Sequence, residues 1–96
     1  MFKVVVSPQA WNDFFAIFDY IDADNPTAAG GFGAALLNQI ELLAAFPHIG
    51  APVHHLQGVR KLLYTPIRIY YRIDNDASTV EILHFWHAAR REPDDF

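Results

Sequence analysis

One segment near the end of the chain alternates in the way that a half-buried β-strand requires. Within residues 67–73 the odd-numbered positions are Ile or Tyr, and the even-numbered positions are Arg, Tyr and Arg. Side chains at successive strand positions leave opposite faces of a sheet, so the segment predicts an apolar face (Ile67, Ile69, Tyr71 and Ile73) against the core. The other face would expose Arg68, Tyr70 and Arg72.

Two further strand-like segments flank this one, at residues 59–65 and 79–87. The polar residues 74–77 lie between the last two segments and predict the turn of a hairpin. A short β-rich run at 2–6 predicts one more strand at the start of the chain, and residues 47–58 are expected to form a loop.

Two helix-start signals lie between the first strand and the later three. Ser7-Pro8 and Asn25-Pro26 each place a capping side chain directly before a proline at the first helical position. The first helix is expected to end near Ala23. The second is expected to end near Phe46, before Pro47. Because very few residues separate the helices, they should form an antiparallel hairpin.

Apolar residues recur in both helices at three- and four-residue spacing, as in amphipathic helices. The expected buried stripes are Trp11, Phe14, Phe15, Phe18 and Ile21 in the first helix, and Phe32, Leu36, Ile40 and Leu43 in the second. Asn12, Asp13 and Asp19 are expected on the opposite, polar side of the first helix. Gly30, Gly31 and Gly33 each disfavour a helix by about 0.5–1 kcal/mol. Either that end of the second helix frays, or the two helices approach closely there and need the side chains to be absent; of the two we expect the close approach.

The predicted order β-α-α-β-β-β is typical of an α+β fold. We expect a single domain over residues 1–96, with the helical hairpin packed on a mostly antiparallel four-stranded sheet. The chain has 96 residues, which suffices for one hydrophobic core.

Composition narrows the possible functions. The chain has no Cys, which excludes disulfides, thiol nucleophiles and thiolate metal sites. Its net charge of −4 opposes tight non-specific binding to a polyanion. No apolar run approaches the roughly 18 residues of a membrane-spanning helix, and no signal-peptide pattern is present, so we expect a cytoplasmic protein without a membrane segment.

The histidines do not have the spacing of a metal site. His84 and His87 are three residues apart on a predicted strand and should leave opposite faces, whereas His54 and His55 are adjacent in a predicted loop. We therefore expect no metal and no cofactor. Phosphate-binding loops and nucleophile motifs are absent from the sequence as well.

The candidate binding residues form one cationic, aromatic group. Four cations and no acid lie between Arg60 and Ile73. The predicted contact residues are Arg60, Arg68, Tyr70 and Arg72 on or near the exposed sheet face, and His87, Arg90 and Arg91 at its C-terminal edge.

Several longer motifs resemble a known family. They are SPQAWNDF (7–14), YIDADNPTAA (20–29), LLAAFPHIGAP (42–52), VRKLLYTPIRIYYRI (59–73) and VEILHFWHAARREP (80–93). Together they resemble the RelE/ParE toxins of type II toxin–antitoxin systems, over nearly the whole chain. The resemblance implies the β-α-α-β-β-β domain, growth inhibition, a link to plasmid stabilisation, and a cognate antitoxin in a hetero-oligomeric complex.

The resemblance leaves the cellular target open. ParE-like members bind and poison DNA gyrase without chemistry of their own, whereas RelE-like members cut messenger RNA on the ribosome. In a nuclease, Arg68 and Arg90 would hold phosphate and His87 would transfer a proton. The sequence lacks the nuclease-type lysine cluster, and no Tyr follows Arg91. This favours the gyrase-directed reading, with the endoribonuclease and an inactive, antitoxin-binding member as alternatives.

Overall fold

The computed structural model describes residues 1–87, in which two helices pack on one face of a five-stranded sheet. The elements in chain order are β1 (Lys3–Val6), α1 (Pro8–Asp24), α2 (Pro26–Ala45), β2 (Ala51–Pro52), β3 (Val59–Tyr64), β4 (Ile67–Asp74) and β5 (Thr79–His87). The α+β class and the predicted order of the larger elements are confirmed.

Both helices begin where the sequence predicts. The Ser7 Oγ atom accepts a hydrogen bond from the Ala10 N–H at 3.1 Å, and the Asn25 Oδ1 atom accepts one from the Ala28 N–H at 3.1 Å. Each cap satisfies a backbone donor that the first helical turn leaves without an intrahelical acceptor. Ser7 also donates from Oγ to the carbonyl of Leu83 at 3.2 Å, so the start of α1 is fastened to β5.

The sheet has the strand order β1-β5-β4-β3-β2. β1 runs parallel to β5, and the other three neighbouring pairs are antiparallel. The predicted four strands become five because β2 lies within the predicted loop. β2 contains only two residues, one of them a proline on the sheet edge, and so short an element gives no alternation to detect.

The main core lies between the helices and one face of the sheet. Ile67, Ile69 and Tyr71 of β4 are buried there, as the alternation predicts, and Ile73 packs against the same core. Their partners are Ala10 and Ile17 of α1, Leu36 and Leu43 of α2, and Val80, Ile82 and Phe85 of β5.

The predicted stripe of α1 is partly wrong. Trp11 and Phe15 are 46% and 54% exposed, whereas Ala10 and Ile17 take the buried positions. Aromatic residues at every third and fourth position indicate a helix with one broad apolar side. They do not determine which residues of that side face the core. The rings of Trp11 and Phe15 stack on each other at 5.8 Å on the outer side of α1.

The prediction that a close helix–helix approach accounts for the three glycines is wrong. A Cβ atom added at Gly30 or Gly31 would have no neighbour within 4 Å. At Gly33 it would meet the Phe14 ring at 3.9 Å, an ordinary van der Waals distance. Close packing therefore explains none of the three glycines.

Within residues 1–87, α2 is the one helix whose length and mean hydropathy of 1.2 reach those of a membrane-spanning helix. Its Leu36 and Leu43 pack in the core described above, and small residues contribute much of its apolar character. The expected absence of a membrane segment stays a prediction.

Candidate functional site

The strand register assigns the residues of the sheet to its two faces. Directly opposed residues of antiparallel strands share a face. Leu63, Arg68 and Trp86 are opposed across β3, β4 and β5, and they lie on the face away from the helices, which we call the distal face. Lys61 lies on the same face, opposite Tyr70.

Arg68 lies at the centre of this row. Its side chain is half-buried, while Leu63 beside it on the edge side is 60% exposed. Trp86, on the other side, packs partly against a small second core. The row combines a guanidinium with apolar and aromatic surface, and the chain has no acidic residue between Glu41 and Asp74. Such a surface can contact either a carboxylate or a phosphate together with apolar groups.

The second core covers part of the distal face and corrects the prediction for Tyr70. Tyr70 is fully buried with Val53 and Val59, and Leu56, Leu83 and Trp86 pack around them. The alternation correctly separates Tyr70 from the main core. It cannot show that the segment between β2 and β3 folds back over the distal face. Tyr70 is therefore a packing residue and not part of an exposed contact surface.

Arg72 is exposed on the distal face, as predicted, but acidic residues lie beside it. It stands opposite Glu81 in the register of β4 and β5. The two residues line a shallow groove together with Asp74. Opposite charges on facing strands attract each other, so the field of Arg72 is partly offset.

Arg60 lies on the other face of the sheet, which corrects its predicted place near the exposed face. It is opposed to the core residue Tyr71. Its Nη1 atom donates to the carbonyl of Gly50 at 2.7 Å and to that of His48 at 3.3 Å. Arg60 therefore holds the segment between α2 and β2.

Tyr71 holds the same segment from inside the core. Its hydroxyl donates to the carbonyl of Pro47 at 2.7 Å and accepts from the N–H of Gly50 at 2.9 Å. A Cβ atom at Gly50 would lie 2.7 Å from the Tyr71 hydroxyl oxygen and 2.8 Å from the Lys61 carbonyl, so only glycine fits without a shift. The residues Phe46–Gly50, which we call the FPHIG loop, are thus fixed to the sheet.

Burial raises the pKa of the Tyr71 hydroxyl above its ordinary value of 10.0, although the Gly50 hydrogen bond and the charge of Arg60 oppose the shift. The hydroxyl therefore remains protonated at neutral pH and can donate to Pro47.

A His–carboxylate pair joins α1 to β5 and was missed in the sequence. The Nδ1 atom of His84 lies 2.9 Å from Oδ2 of Asp13, which also accepts from the Phe85 N–H at 3.2 Å. Both side chains are about 15% exposed or less. The helical pattern placed Asp13 on the polar side of α1, but Leu83 is an extra residue in the register with β4, and this bulge brings His84 to Asp13.

Within residues 1–87, no group of three or more His, Asp or Glu side chains is arranged to hold a metal ion. The pair of Asp13 and His84 supplies two such groups, and both are engaged with each other.

Comparison with known proteins decides the family. Residues 4–92 match the family model described as the ParE toxin of the type II toxin–antitoxin system parDE. The chain belongs to the ParE toxin family. A comparison with curated proteins gave no significant match.

Two solved structures share the fold of this ParE-family chain. One is the chromosomal ParDE toxin–antitoxin system from P. aeruginosa, with a TM-score of 0.76 and 23% identity over 91% of this chain and 96% of that one. The other is the toxin–antitoxin complex RelBE2 from Mycobacterium tuberculosis, with a TM-score of 0.67 and 23% identity over 90% and 96% of the two chains.

The C-terminal part of the predicted site lies at and beyond the end of β5. His87 is the last described residue and is opposed to Ile67, whereas the neighbouring Arg68 is opposed to Trp86. His87 and Arg68 are thus directed to opposite sides of the sheet. Arg90 and Arg91 lie outside the described residues.

This ParE-family chain also has an apolar groove on its helical side, which the sequence did not predict. The groove encloses about 200 Å³. It is lined by Val6, Trp11, Phe14, Gly33, Leu36, Leu37, Ile40 and Phe85. Leu37 is 56% exposed at its rim. The sequence signal was present in the apolar residues of both helices, but the inferred stripes assigned Trp11, Phe14, Leu36 and Ile40 to the interior.

Proposed function

We propose that this ParE-family toxin binds DNA gyrase and inhibits it without catalysing a reaction, and that a cognate antitoxin neutralises it. The observation that carries the proposal is the row Leu63–Arg68–Trp86. Arg68 lies between an exposed leucine and a tryptophan on one sheet face, with Lys61 on the same face. Arginine beside aromatic and aliphatic surface is the usual composition of a protein-contact centre.

The arrangement of the candidate catalytic residues supports binding over RNA cleavage. A nuclease of the RelE type would need Arg68 to stabilise phosphate charge and a nearby group such as His87 to transfer a proton. The register directs these two residues to opposite sides of the sheet, and Tyr70 is buried. The net charge of −4 also disfavours autonomous binding to RNA.

The apolar groove on the helical side is the proposed docking site of the antitoxin. Burying its exposed rim, which includes Trp11 and Leu37, against an amphipathic segment would remove apolar surface from water. Both solved relatives described above are toxin–antitoxin assemblies. We therefore expect a hetero-oligomer in which the antitoxin covers this groove.

Controlled expression without an antitoxin tests the proposal in cells. We expect growth arrest with filamentation, a DNA-damage response and gyrase-dependent cleavage complexes. Arg68→Ala should relieve the arrest while the purified variant stays folded, as its circular dichroism spectrum shows. Tyr20→Ala is the matched control, because Tyr20 is 71% exposed on α1 and belongs to none of the surfaces above.

Other outcomes would favour the alternatives. Rapid loss of translation with transcripts cut at ribosome-occupied codons would contradict the gyrase mechanism and indicate an endoribonuclease. A lack of toxicity, together with normal binding of the antitoxin, would indicate an inactive family member.

A further inference from the structure

The β3 edge of the sheet is only partly covered. β2 pairs with Arg60 and Lys61 alone, so within residues 1–87 the positions 62–64 of β3 have a strand neighbour on one side only. Leu63 and Tyr64 in this uncovered part are 60% and 37% exposed. An edge of this kind offers backbone groups together with apolar side chains to a protein partner.

The FPHIG loop presents two more large apolar side chains. Phe46 is 61% exposed and Ile49 is 48% exposed. The hydrogen bonds of Tyr71 and Arg60 to the backbone of this loop fix it in place. Because the loop is already ordered, it loses little conformational entropy when a partner binds to it.

The loop and the uncovered edge lie at the same end of the β2–β3 pair. β2 is antiparallel to β3, with Ala51 opposed to Lys61. Ile49 precedes Ala51 by two residues, and Leu63 follows Lys61 by two residues. Leu63 also belongs to the distal row of Arg68, so the apolar edge is continuous with the proposed gyrase surface.

Among residues 1–87, the stretch of chain that forms this end of the molecule carries basic and no acidic side chains. Residues 42–73 contain three Arg, one Lys and three His, and no Asp or Glu. Among them Lys61 is half-buried on the distal face and His48 is exposed in the FPHIG loop. A partner surface with apolar groups rimmed by carboxylates is complementary to this arrangement.

We propose that the toxin's target docks on this edge, with Phe46, Ile49 and Leu63 as apolar anchors and Lys61 opposite a carboxylate of the target. The inference rests on the proposed function, which makes the target a protein. The aliphatic anchors Ile49 and Leu63 suit a protein surface better than a nucleic acid, and the guanidinium of Arg60 is already engaged with loop carbonyls. The antitoxin groove lies apart from this edge, on the helical side of the fold.

Inhibition of DNA supercoiling by purified gyrase tests the proposal. Leu63→Glu and Ile49→Glu each place a carboxylate on an exposed position, and we expect each to raise the half-inhibitory toxin concentration at least about tenfold. Lys61→Glu should have an effect in the same direction. Tyr20→Glu is the matched control and should inhibit like the wild type.

Folding and antitoxin binding are measured on the same variants. We expect unchanged circular dichroism spectra and unchanged co-purification with the antitoxin for Leu63→Glu and Ile49→Glu. Full inhibition of gyrase by both variants would overturn the docking edge and leave the proposed function standing. A wild-type toxin that leaves gyrase unaffected would instead refute the proposed function, and the gyrase-docking edge with it.

Discussion

Replacing Tyr71 by Phe removes the one oxygen atom that ties the centre of the sheet to the FPHIG loop. The side chain is fully buried, and its hydroxyl makes hydrogen bonds of 2.7 Å to Pro47 and 2.9 Å to Gly50. A buried group left without its partner costs about 1–3 kcal/mol. Two such groups arise, and partial relaxation of the loop offsets part of the cost, so we expect a loss of about 2–4 kcal/mol of unfolding free energy.

Urea unfolding followed by far-ultraviolet circular dichroism measures this loss. The slope of the free energy with urea should stay unchanged, because the substitution does not alter the surface exposed on unfolding. Tyr20→Phe is the matched control, since it removes the same oxygen from a side chain that is 71% exposed. A Tyr71→Phe variant as stable as the control would refute the account of the loop.

Two further predictions concern the Tyr71 tether, and a third concerns the pair of Asp13 and His84. Unfolding free energy should fall as the pH rises through 10.0 and above, because burial raises the pKa of Tyr71 in the folded state; Tyr71→Phe should flatten this alkaline decline in a pH series of urea unfolding. Gly50→Ala should destabilise the fold by about 1–3 kcal/mol, since the added Cβ would lie 2.7 Å from the Tyr71 oxygen, and a wild-type thermal midpoint would contradict this. Asp13→Ala should cost about 1–3 kcal/mol by removing the acceptor of His84 and Phe85, whereas Asp19→Ala, on an exposed position, should leave the urea midpoint unchanged; equal midpoints for the two variants would argue against the tether.

Local signals in the sequence were sufficient for most of the fold. The caps at Ser7 and Asn25 place both helix starts, and the alternation within residues 67–73 identifies the core face of β4. Each of these features depends on neighbours in the chain, which is why a single sequence reveals them. The sequence did not predict β2, because this strand is defined mainly by its pairing with Arg60 and Lys61 of β3. That pairing is a tertiary contact, which no local pattern shows.

The candidate site depended more on contacts between distant segments. Arg68 and Arg72 lie on the predicted face, but the burial of Tyr70 depends on Val53 and Val59, and the offset of Arg72 depends on Glu81 in the neighbouring strand. Arg60 and Arg68 carry the same charge, and the sequence alone does not separate them. The strand register places Arg60 on the other face of the sheet, where it binds the FPHIG loop. The pair of Asp13 and His84 joins residues 71 positions apart in the chain. It also requires the bulge in β5, which no local sequence pattern predicts.

The most direct test of the central claim compares purified wild-type toxin in two reactions. One measures supercoiling and DNA cleavage by gyrase, and the other measures cleavage of messenger RNA on programmed ribosomes. We predict that the toxin inhibits supercoiling, that adding the antitoxin restores supercoiling, and that the messenger RNA stays intact. Normal supercoiling by gyrase together with cleavage of the messenger RNA on the ribosome would contradict the proposed gyrase mechanism.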